Sequence, residues 1–380
     1  MGTRASNNES SIHQDEAGRW HGYVSMGLRE GGRRDRRHVS GPSRREVVTK
    51  VRALEAKRDA GTALGAGTPP TVAVWLTEYL DTVAARRVRP STLDRYQSMA
   101  RVHIIPAVGH HRLDRLQPEH VERMYTAMAN LGLAPATVLQ AHRLLSRALK
   151  IAMQRGRVGR NVCTLVDAPS LTHHEIQPLT VADARKILTT ATTRRNGARW
   201  AVALALGLRQ GEALGLQWSD IDLDAPSLTV RRALQRQRGK GLVLVEPKSR
   251  SGRRTIALPE PVVDLLRDHR LAQDAERAHA RDEWRDLDFV FAQPTGTPID
   301  SRADRRDWDQ LLKDSGVRPA RLHDARHTAA TTLLIMGVPA RVVMQILGHS
   351  QIGLTLGTYS HVVPELATDA ADKIAQAYWR

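Results

Sequence analysis

The chain has little cysteine, few aromatic residues and no long apolar run. Its 380 residues include one cysteine, Cys163, and aromatic residues make up 4% of the total. One cysteine cannot form an internal disulfide, which excludes a disulfide-stapled secreted domain and indicates a reducing cytoplasm. Because no run of about 18 apolar residues occurs, we expect no membrane span. Residues 1–18 also lack the apolar centre of a secretory signal.

Acidic residues are scarce relative to basic ones. The chain has 57 Lys and Arg against 40 Asp and Glu, a formal charge of +17 and an isoelectric point near 10.8. An arginine-rich proteome could produce the same balance, but the basic residues are clustered. Nine basic residues and one acidic residue lie between Arg231 and Arg254, and seven against two lie between Arg29 and Arg45. Such clusters indicate a polyanionic partner.

The N-terminal segment, residues 1–66, is predicted to contain a small β-sheet and one helix after a disordered start. The predicted elements are strands over residues 18–26 and 36–40 and a helix that ends at Lys57. Ser43 followed by Glu46 resembles a capping box for this helix. The Gly- and Pro-rich composition of residues 60–70 then predicts a flexible linker.

The second segment, residues 71–161, is predicted to be almost entirely helical. Apolar residues recur at helical spacing from Val72 to Leu80. The further predicted helices cover residues 91–103, 118–129 and 135–154, the first stopping before Pro106. Pro118 and Pro135 suit the first turn of a helix, where a missing N–H costs little.

The third segment, residues 177–380, is predicted to mix α and β structure. Thr180 with Asp183 marks a helix start. The predicted strands cover residues 227–235, 242–247 and 255–258, and the predicted tail helix covers residues 364–379.

Short stretches of this third segment contain the residues suited to chemistry. They are Arg209 and Glu212 in LRQGE, Lys248 after a strand, His323 and Arg326 in HDAR, His349 after Gly348, and Tyr359 among small residues. Each alone has an ordinary explanation, since an Arg-Glu pair three apart on a helical face is usually a surface ion pair and a tyrosine usually belongs to a core. His323 and His327 could bind a metal, but no third ligand is placed.

Together and in this order, these stretches resemble the tyrosine recombinase (phage integrase) family. The resemblance covers the third segment densely and the first two more loosely. It implies three domains: an arm-type DNA-binding domain with a small β-sheet and a helix, an all-α core-binding domain that is a SAM-like helical bundle, and a mixed α+β catalytic domain. Two positions depart from the usual pattern, Gly357 before the tyrosine and Ala325 between His323 and Arg326.

The resemblance also implies roles for the site residues. Tyr359 would attack the DNA backbone and form a 3′-phosphotyrosyl bond. Arg209, Arg326 and His349 would stabilise the charge that develops on the phosphate oxygens, with Glu212 in support. Lys248 would protonate the leaving 5′-oxygen and His323 would accept or relay the tyrosine proton. No metal or other cofactor is expected.

The expected partner is double-stranded DNA at attachment sites, bound by a homotetramer, with a host DNA-bending protein and an excision factor as further partners. The expected location is the cytoplasm, at the nucleoid. The basic residues predicted to contact DNA are Arg33, Arg34, Arg36, Arg37, Arg231, Arg232, Arg250, Arg253 and Arg254.

Three alternatives stay open. A tyrosine-dependent topoisomerase would use the same chemistry, but a separate basic N-terminal segment suits an enzyme that bridges distant sites. A regulator that kept the fold and lost catalysis would not need Arg209, Lys248, Arg326 and Tyr359 together. A metal-dependent nuclease or transposase would need clustered carboxylates, which the sequence does not offer.

Overall fold

The computed structural model describes residues 10–28, 34–59, 69–171, 177–247 and 250–348, together with 375, 376 and 378. The chain divides into two compact units, Met1–His173 and His174–Arg380. The division falls between the second and third segments predicted from the sequence. Within the described residues, no helix is both long enough and apolar enough to cross a membrane.

The first unit begins with a three-stranded antiparallel sheet and one helix. Across the sheet the strands are β1 (Ser11–Gln14), β2 (Trp20–Leu28) and β3 (Arg34–Gly41), followed in the chain by helix α1 (Arg44–Asp59). Val24 of the sheet packs with Val47 and Val51 of the helix. Gly22 permits this close approach, since a Cβ there would lie 2.6 Å from Cγ2 of Val51. The predicted sheet with one helix is confirmed, although β1 was not predicted.

The sheet face opposite α1 presents a row of aromatic rings. His13, His21, Tyr23 and His38 stack across the three strands with centroid separations of 4.8–5.7 Å. The guanidinium of Arg36 lies 5.5 Å from the centroid of the Tyr23 ring. This face therefore combines aromatic surface with positive charge.

Residues 69–171, which the structure describes, are mainly helical, as predicted. The helices are α2 (Val72–Glu78), α3 (Pro90–Met99), α4 (Ile105–Val108), α5 (Pro118–Asn130) and α6 (Pro135–Gln154). Their apolar faces enclose one core, in which Trp75 donates from Nε1 to the carbonyl oxygen of Ala148 over 2.9 Å. Cys163 is also buried in this core, with 1% of its surface exposed.

The prediction that a helix stops before Pro106 is wrong. A π-helical stretch, Ala100–Ile104, joins α3 to α4, and Pro106 lies in the first turn of α4. The chain therefore stays helical to Val108. The proline ring is tolerated because the wider π-helical turn changes the backbone hydrogen-bond pattern just before it. Pro106 then lies in the first turn of α4, where a backbone N–H is not needed.

The second unit mixes helices with two small antiparallel sheets. Its helices are α7 (Val181–Ala191), α8 (Ala198–Ala205), α9 (Gln210–Leu214), α10 (Glu260–Ala280), α11 (Ser301–Asp314), α12 (Leu322–Ile335) and α13 (Ala340–Leu347). Its strands are β4 (Ile221–Asp222), β5 (Ser227–Val230), β6 (Ala233–Gln237), β7 (Gly241–Val245) and β8 (Arg254–Ala257). One sheet has the order β4–β5–β8, and β6 pairs with β7 as a hairpin.

The single strand predicted over residues 227–235 is in fact two strands in different sheets. The chain leaves β5 at Arg231 and Arg232 and enters β6 at Ala233. Both arginines contact the buried carboxylate of Asp220, at 3.7 and 3.3 Å. The predicted tail helix lies outside the described residues, apart from 375, 376 and 378, which are helical.

Candidate active site

Arg209 lies immediately before α9, in an extended conformation that caps the helix. The sequence pattern had suggested that Arg209 and Glu212 share a helical face, but Arg209 precedes the helix. Its backbone N–H donates to Oε2 of Glu212 over 3.1 Å, and its Nη1 donates to Oε1 over 2.6 Å. The carboxylate therefore fixes both ends of Arg209, while 41% of the arginine side chain remains exposed.

Arg326 is on the first turns of α12 and is 3% exposed. Its Nη1 donates to the carbonyl oxygen of Gly207 and its Nη2 to that of Leu347, each over 2.7 Å. Gly207 is two residues before Arg209, and Leu347 ends α13. Arg326 therefore joins three separate stretches of the unit at one point.

A third arginine, Arg254 at the start of β8, belongs to the same cluster. Its Nη2 donates to Oε2 of Glu212 over 2.9 Å, its Nε to the carbonyl oxygen of Ile346 over 2.5 Å and its Nη1 to that of Gly252 over 3.2 Å. Its side chain is 6% exposed. The predicted DNA contact does not fit Arg254, because its guanidinium is buried and its donors face inward.

Glu212 is the acidic centre of this cluster and is 5% exposed. Burial acts to raise the pKa of its carboxyl group, but the charges of Arg254 and then Arg209 outweigh burial and lower the pKa below its ordinary value. An ionised carboxylate can accept from both arginines at once.

The three arginines converge on the carbonyl end of α13. Arg254, Arg326 and Arg209 donate to the consecutive carbonyls of residues 346, 347 and 348, respectively. Carbonyls at a helix C-terminus lack partners within the helix, so these cations satisfy them. Gly348 ends the helix with a left-handed backbone, φ +69°. This fixes the point from which the chain continues to His349.

His323 lies on the same face of α12 as Arg326, three residues earlier. Both line a cavity of about 620 Å³ together with Arg305, Arg321 and Gln210. Burial lowers the pKa of His323, and the charges of Arg326 and Arg209 lower it further. His323 is therefore neutral near pH 7 and able to accept a proton.

His327 packs edge-on against His323, with ring centroids 4.8 Å apart. Burial and then His323 lower the pKa of His327 to about 4. Across the part of the chain that the structure describes, no group of three or more His, Cys, Asp or Glu side chains is arranged to hold a metal ion.

Three predicted catalytic residues, Lys248, His349 and Tyr359, lie outside the described residues, as does Arg33. Lys248 directly follows the described end of the chain after β7, and His349 directly follows Gly348. The structure therefore brings together Arg209, Arg326, His323 and Glu212, and it adds Arg254.

The remaining residues predicted to contact DNA differ in their surroundings. Arg34 and Arg36 are exposed on β3, and Arg37 is 3.9 Å from Asp35. Arg232 donates to Gln217 and, with Arg231, lies near Asp220. Arg253 is 63% exposed and 3.7 Å from the exposed Glu246. Arg250 is in a 3₁₀ turn, and its side chain is outside the description.

A supporting ion pair was also missed by the sequence analysis. Arg199 of α8 and Asp304 of α11 form a buried pair with two N–O distances of 3.2 Å, and Gln210 donates to the same carboxylate over 2.9 Å. Gln210 follows Arg209 directly. The available signal was Arg199 itself, a charge within the otherwise apolar run of residues 198–206.

Comparison with known proteins identifies the family. The phage integrase family model matches residues 170–365, and the model of the phage integrase N-terminal SAM-like domain matches residues 71–129. An integrase of Saccharopolyspora erythraea is 39% identical over 430 aligned positions, covering 99% of this chain and 98% of that protein. The chain belongs to the phage integrase family. It is a site-specific integrase, an enzyme of the tyrosine recombinase type that cleaves and rejoins DNA.

Further relatives agree with this assignment. An integrase of Streptomyces ambofaciens is 30% identical, and the match covers 97% of each chain. Among solved structures, the Tn1549 transposon integrase in complex with a circular intermediate DNA has a TM-score of 0.67 at 21% identity, covering 80% of this chain and 100% of that one. A lambda integrase tetramer bound to a Holliday junction has a TM-score of 0.56 at 18% identity, covering 94% and 96%. These likenesses show that the fold is shared.

Proposed function

We propose that this integrase inserts a phage or mobile-element genome through a covalent bond between Tyr359 and DNA, and that excision reverses the same reaction. The observation that supports this proposal has two parts. Arg326 and the neutral His323 line one cavity, and Arg326 and Arg209 donate to adjacent carbonyls at the helix end that precedes His349. Two guanidinium groups at one place suit a phosphate that gains negative charge.

In the proposed reaction, Oη of Tyr359 attacks the phosphorus atom and loses its proton to His323. The bond from phosphorus to the 5′-oxygen breaks, and Lys248 donates a proton to that oxygen. The product is a 3′-phosphotyrosyl bond and a free 5′-hydroxyl. Because one phosphoester replaces another, the reverse attack by a 5′-hydroxyl rejoins DNA without a nucleotide or metal cofactor.

Glu212 has a supporting role in this proposal. Its two bonds to Arg209 place the arginine backbone and guanidinium together, and the 41% exposed side chain leaves Arg209 able to meet DNA. His349, which follows α13 in the sequence, would add another donor to the phosphate.

We further propose that the integrase acts on double-stranded attachment sites as a homotetramer in the cytoplasm, at the nucleoid. A lambda integrase has been solved as a tetramer on a Holliday junction, and exchange of strands between two duplexes needs four active sites. A host DNA-bending protein and an excision factor would assist assembly. The exposed aromatic and basic face of the N-terminal sheet supports a second DNA contact, which distinguishes this reading from a topoisomerase.

The test is covalent capture on a nicked duplex that contains the element's attachment-site core. The wild-type protein should become linked to the DNA and Tyr359→Phe should not, because phenylalanine has no hydroxyl to attack phosphorus. Tyr125→Phe is the matched control, since it removes a hydroxyl that is bonded to His142 within the helical segment. A covalent complex in Tyr359→Phe would exclude Tyr359 as the nucleophile.

A further inference from the structure

The three donor nitrogens of Arg254 bind three different parts of the second unit. They hold Glu212 beside Arg209, the carbonyl of Gly252 in the turn that follows Lys248, and the carbonyl of Ile346 near the end of α13. Three separate stretches that flank or support the proposed catalytic residues thus meet at one side chain, which is 6% exposed. Such an arrangement suits a group that fixes others in place.

We propose that Arg254 is a positioning residue for DNA cleavage: it holds Glu212, and through it Arg209, in the geometry that receives the scissile phosphate. The inference rests on the proposed role of Arg209. Arg254 is not a catalytic residue in this scheme, because it neither lines the cavity, as Arg326 does, nor is exposed, as Arg209 is.

Glu212 explains why Arg254 is needed. Arg209 is 41% exposed, so its own charge is partly screened by water, whereas Arg254 is buried beside the carboxylate. Without Arg254, Glu212 would be a buried acid with one partly exposed partner, and protonation or movement of the carboxyl group would release Arg209. The backbone N–H of Arg209 would lose its acceptor at the same time.

Arg254 also links the two sides of the site. Gly252 lies four residues after Lys248, and Ile346 lies three residues before His349. Because one planar guanidinium holds both carbonyls, Gly252 and Ile346 are kept at a fixed separation. A lysine can keep the charge but cannot reproduce three bonds in one plane.

The experiment compares Arg254→Ala and Arg254→Lys with the wild type on the nicked attachment-site duplex at saturating DNA. The rate of covalent complex formation should fall about 100-fold in Arg254→Ala, the loss typical of reacting groups displaced by about 1 Å. Arg254→Lys should lose about 10-fold, since charge is retained without the fixed geometry. The DNA dissociation constant should stay unchanged, because Arg254 does not meet DNA.

Arg195 supplies the matched control. Its Nε and Nη2 bind Glu276 over 2.6 and 2.7 Å, and its Nη1 donates to the carbonyl oxygen of Ala292 over 2.7 Å. Like Arg254, Arg195 binds one carboxylate and a backbone carbonyl, but its partners do not belong to the cluster formed by Arg209, Arg254, Arg326 and Glu212. Arg195→Ala should therefore keep the cleavage rate, and thermal unfolding of both variants shows how much stability each loses.

A substrate with one non-bridging oxygen of the scissile phosphate replaced by a methyl group separates positioning from general damage. This phosphate is neutral, so less charge remains for Arg209 to stabilise. On this neutral substrate, the rate deficit of Arg254→Ala should shrink to about 10-fold or less. The transition state then depends less on the charge of Arg209, so a displaced Arg209 costs less of the rate. Arg209→Ala, measured in parallel, should show the same shrinkage.

The outcomes are distinguishable. If Arg254→Ala cleaves normally, or its deficit is equal on both substrates while that of Arg209→Ala shrinks, the positioning role is wrong. If Arg209→Ala cleaves ordinary DNA at the wild-type rate, the proposed role of Arg209 is wrong. Should Arg254→Ala not fold, Arg254→Lys and Glu212→Gln decide the question by the same comparison of substrates.

Discussion

Arg326 donates from Nη1 to the carbonyl oxygen of Gly207 over 2.7 Å, although the two residues are 119 positions apart. The bond places the chain just ahead of Arg209 against the helix that contains Arg326. Gly207 has a positive φ of +61°, and an added Cβ would lie 2.6 Å from Cδ2 of the buried Leu347. Arg326 is therefore connected to Arg209 through the backbone at position 207, where the conformation and the close contact with Leu347 favour glycine.

We predict that Gly207→Ala lowers both stability and the cleavage rate. The left-handed backbone and the close contact together should cost about 1–3 kcal/mol of unfolding free energy. Shifting Leu347 would also move a carbonyl that Arg326 holds. Urea unfolding and the rate of covalent complex formation measure the two effects.

Gly316→Ala is the control for backbone strain. Its φ of +64° is close to that of Gly207, but a Cβ there meets nothing within 4 Å. This variant should lose about 1 kcal/mol through strain alone and cleave normally. Equal rate losses in both variants would show that the contact with Leu347 does not matter for cleavage.

Lys248→Ala should cleave ordinary attachment-site DNA slowly, because the leaving 5′-oxygen would lack its proton donor. A substrate with sulfur in place of that bridging oxygen needs no proton and should restore the rate. Arg209→Ala is the matched control, since sulfur at this position does not replace charge stabilisation on the other oxygens. Failure of sulfur to rescue Lys248→Ala would assign the acid role to another group.

Acidification should destabilise the folded integrase through His327. Its pKa is about 4 in the folded chain, mainly because of burial, against an ordinary value of 6.5. Between these values the unfolded chain binds more protons than the folded chain, so stability is complete above about pH 6.5 and falls as the pH decreases towards about 4. The lowered pKa of His323 acts in the same direction.

The measurement is the thermal midpoint of the wild type and His327→Gln across this pH range. The variant should show a shallower fall, because glutamine does not titrate. Parallel pH profiles for the two proteins would contradict a contribution from His327.

The N-terminal segment should bind a second DNA site. Deleting residues 1–66 should spare binding to the crossover site and abolish binding to flanking sites. Arg36→Ala is a smaller change on the exposed sheet face, and it should reduce the salt dependence of flanking-site binding by about one counterion if Arg36 meets a phosphate. Equal losses of affinity at both kinds of site would indicate a nonspecific contact instead.

Local patterns predicted the helices well where a proline or a capping pair marks the start. Helix α6 begins at Pro135 and ends at Gln154 as predicted, and α7 follows the predicted Thr180–Asp183 cap. The prediction at Pro106 was wrong because proline occurs both where helices end and where they begin. The sequence alone does not show that a π-helical turn precedes this proline. At the break after Val230, Arg231 and Arg232 contact Asp220, and strand propensity does not predict such a contact.

Four residues that the structure brings together, Arg209, Glu212, His323 and Arg326, were named from the sequence, but their geometry was not predicted. Arg253 and Arg254 are identical in type and adjacent, yet one is exposed and the other buried. The alternation of β8 was the usable signal, because Arg254 and Ile256 share the inward face of this strand and Leu258, just after it, is buried as well. The bonds from Arg254 to residue 346 and from Arg209 to residue 348 join parts of the chain 92 and 139 positions apart, which no local pattern specifies.

The burial of Cys163 has a practical consequence for spectroscopy. Burial raises the pKa of its thiol to about 12, so the reactive thiolate is scarce at neutral pH. A maleimide dye added to the native protein should therefore find no accessible target at this residue. Cysteines introduced at exposed positions of the N-terminal sheet and the second unit can then be labelled while Cys163 stays in place, and energy transfer between two dyes would report the separation of the two units with and without DNA.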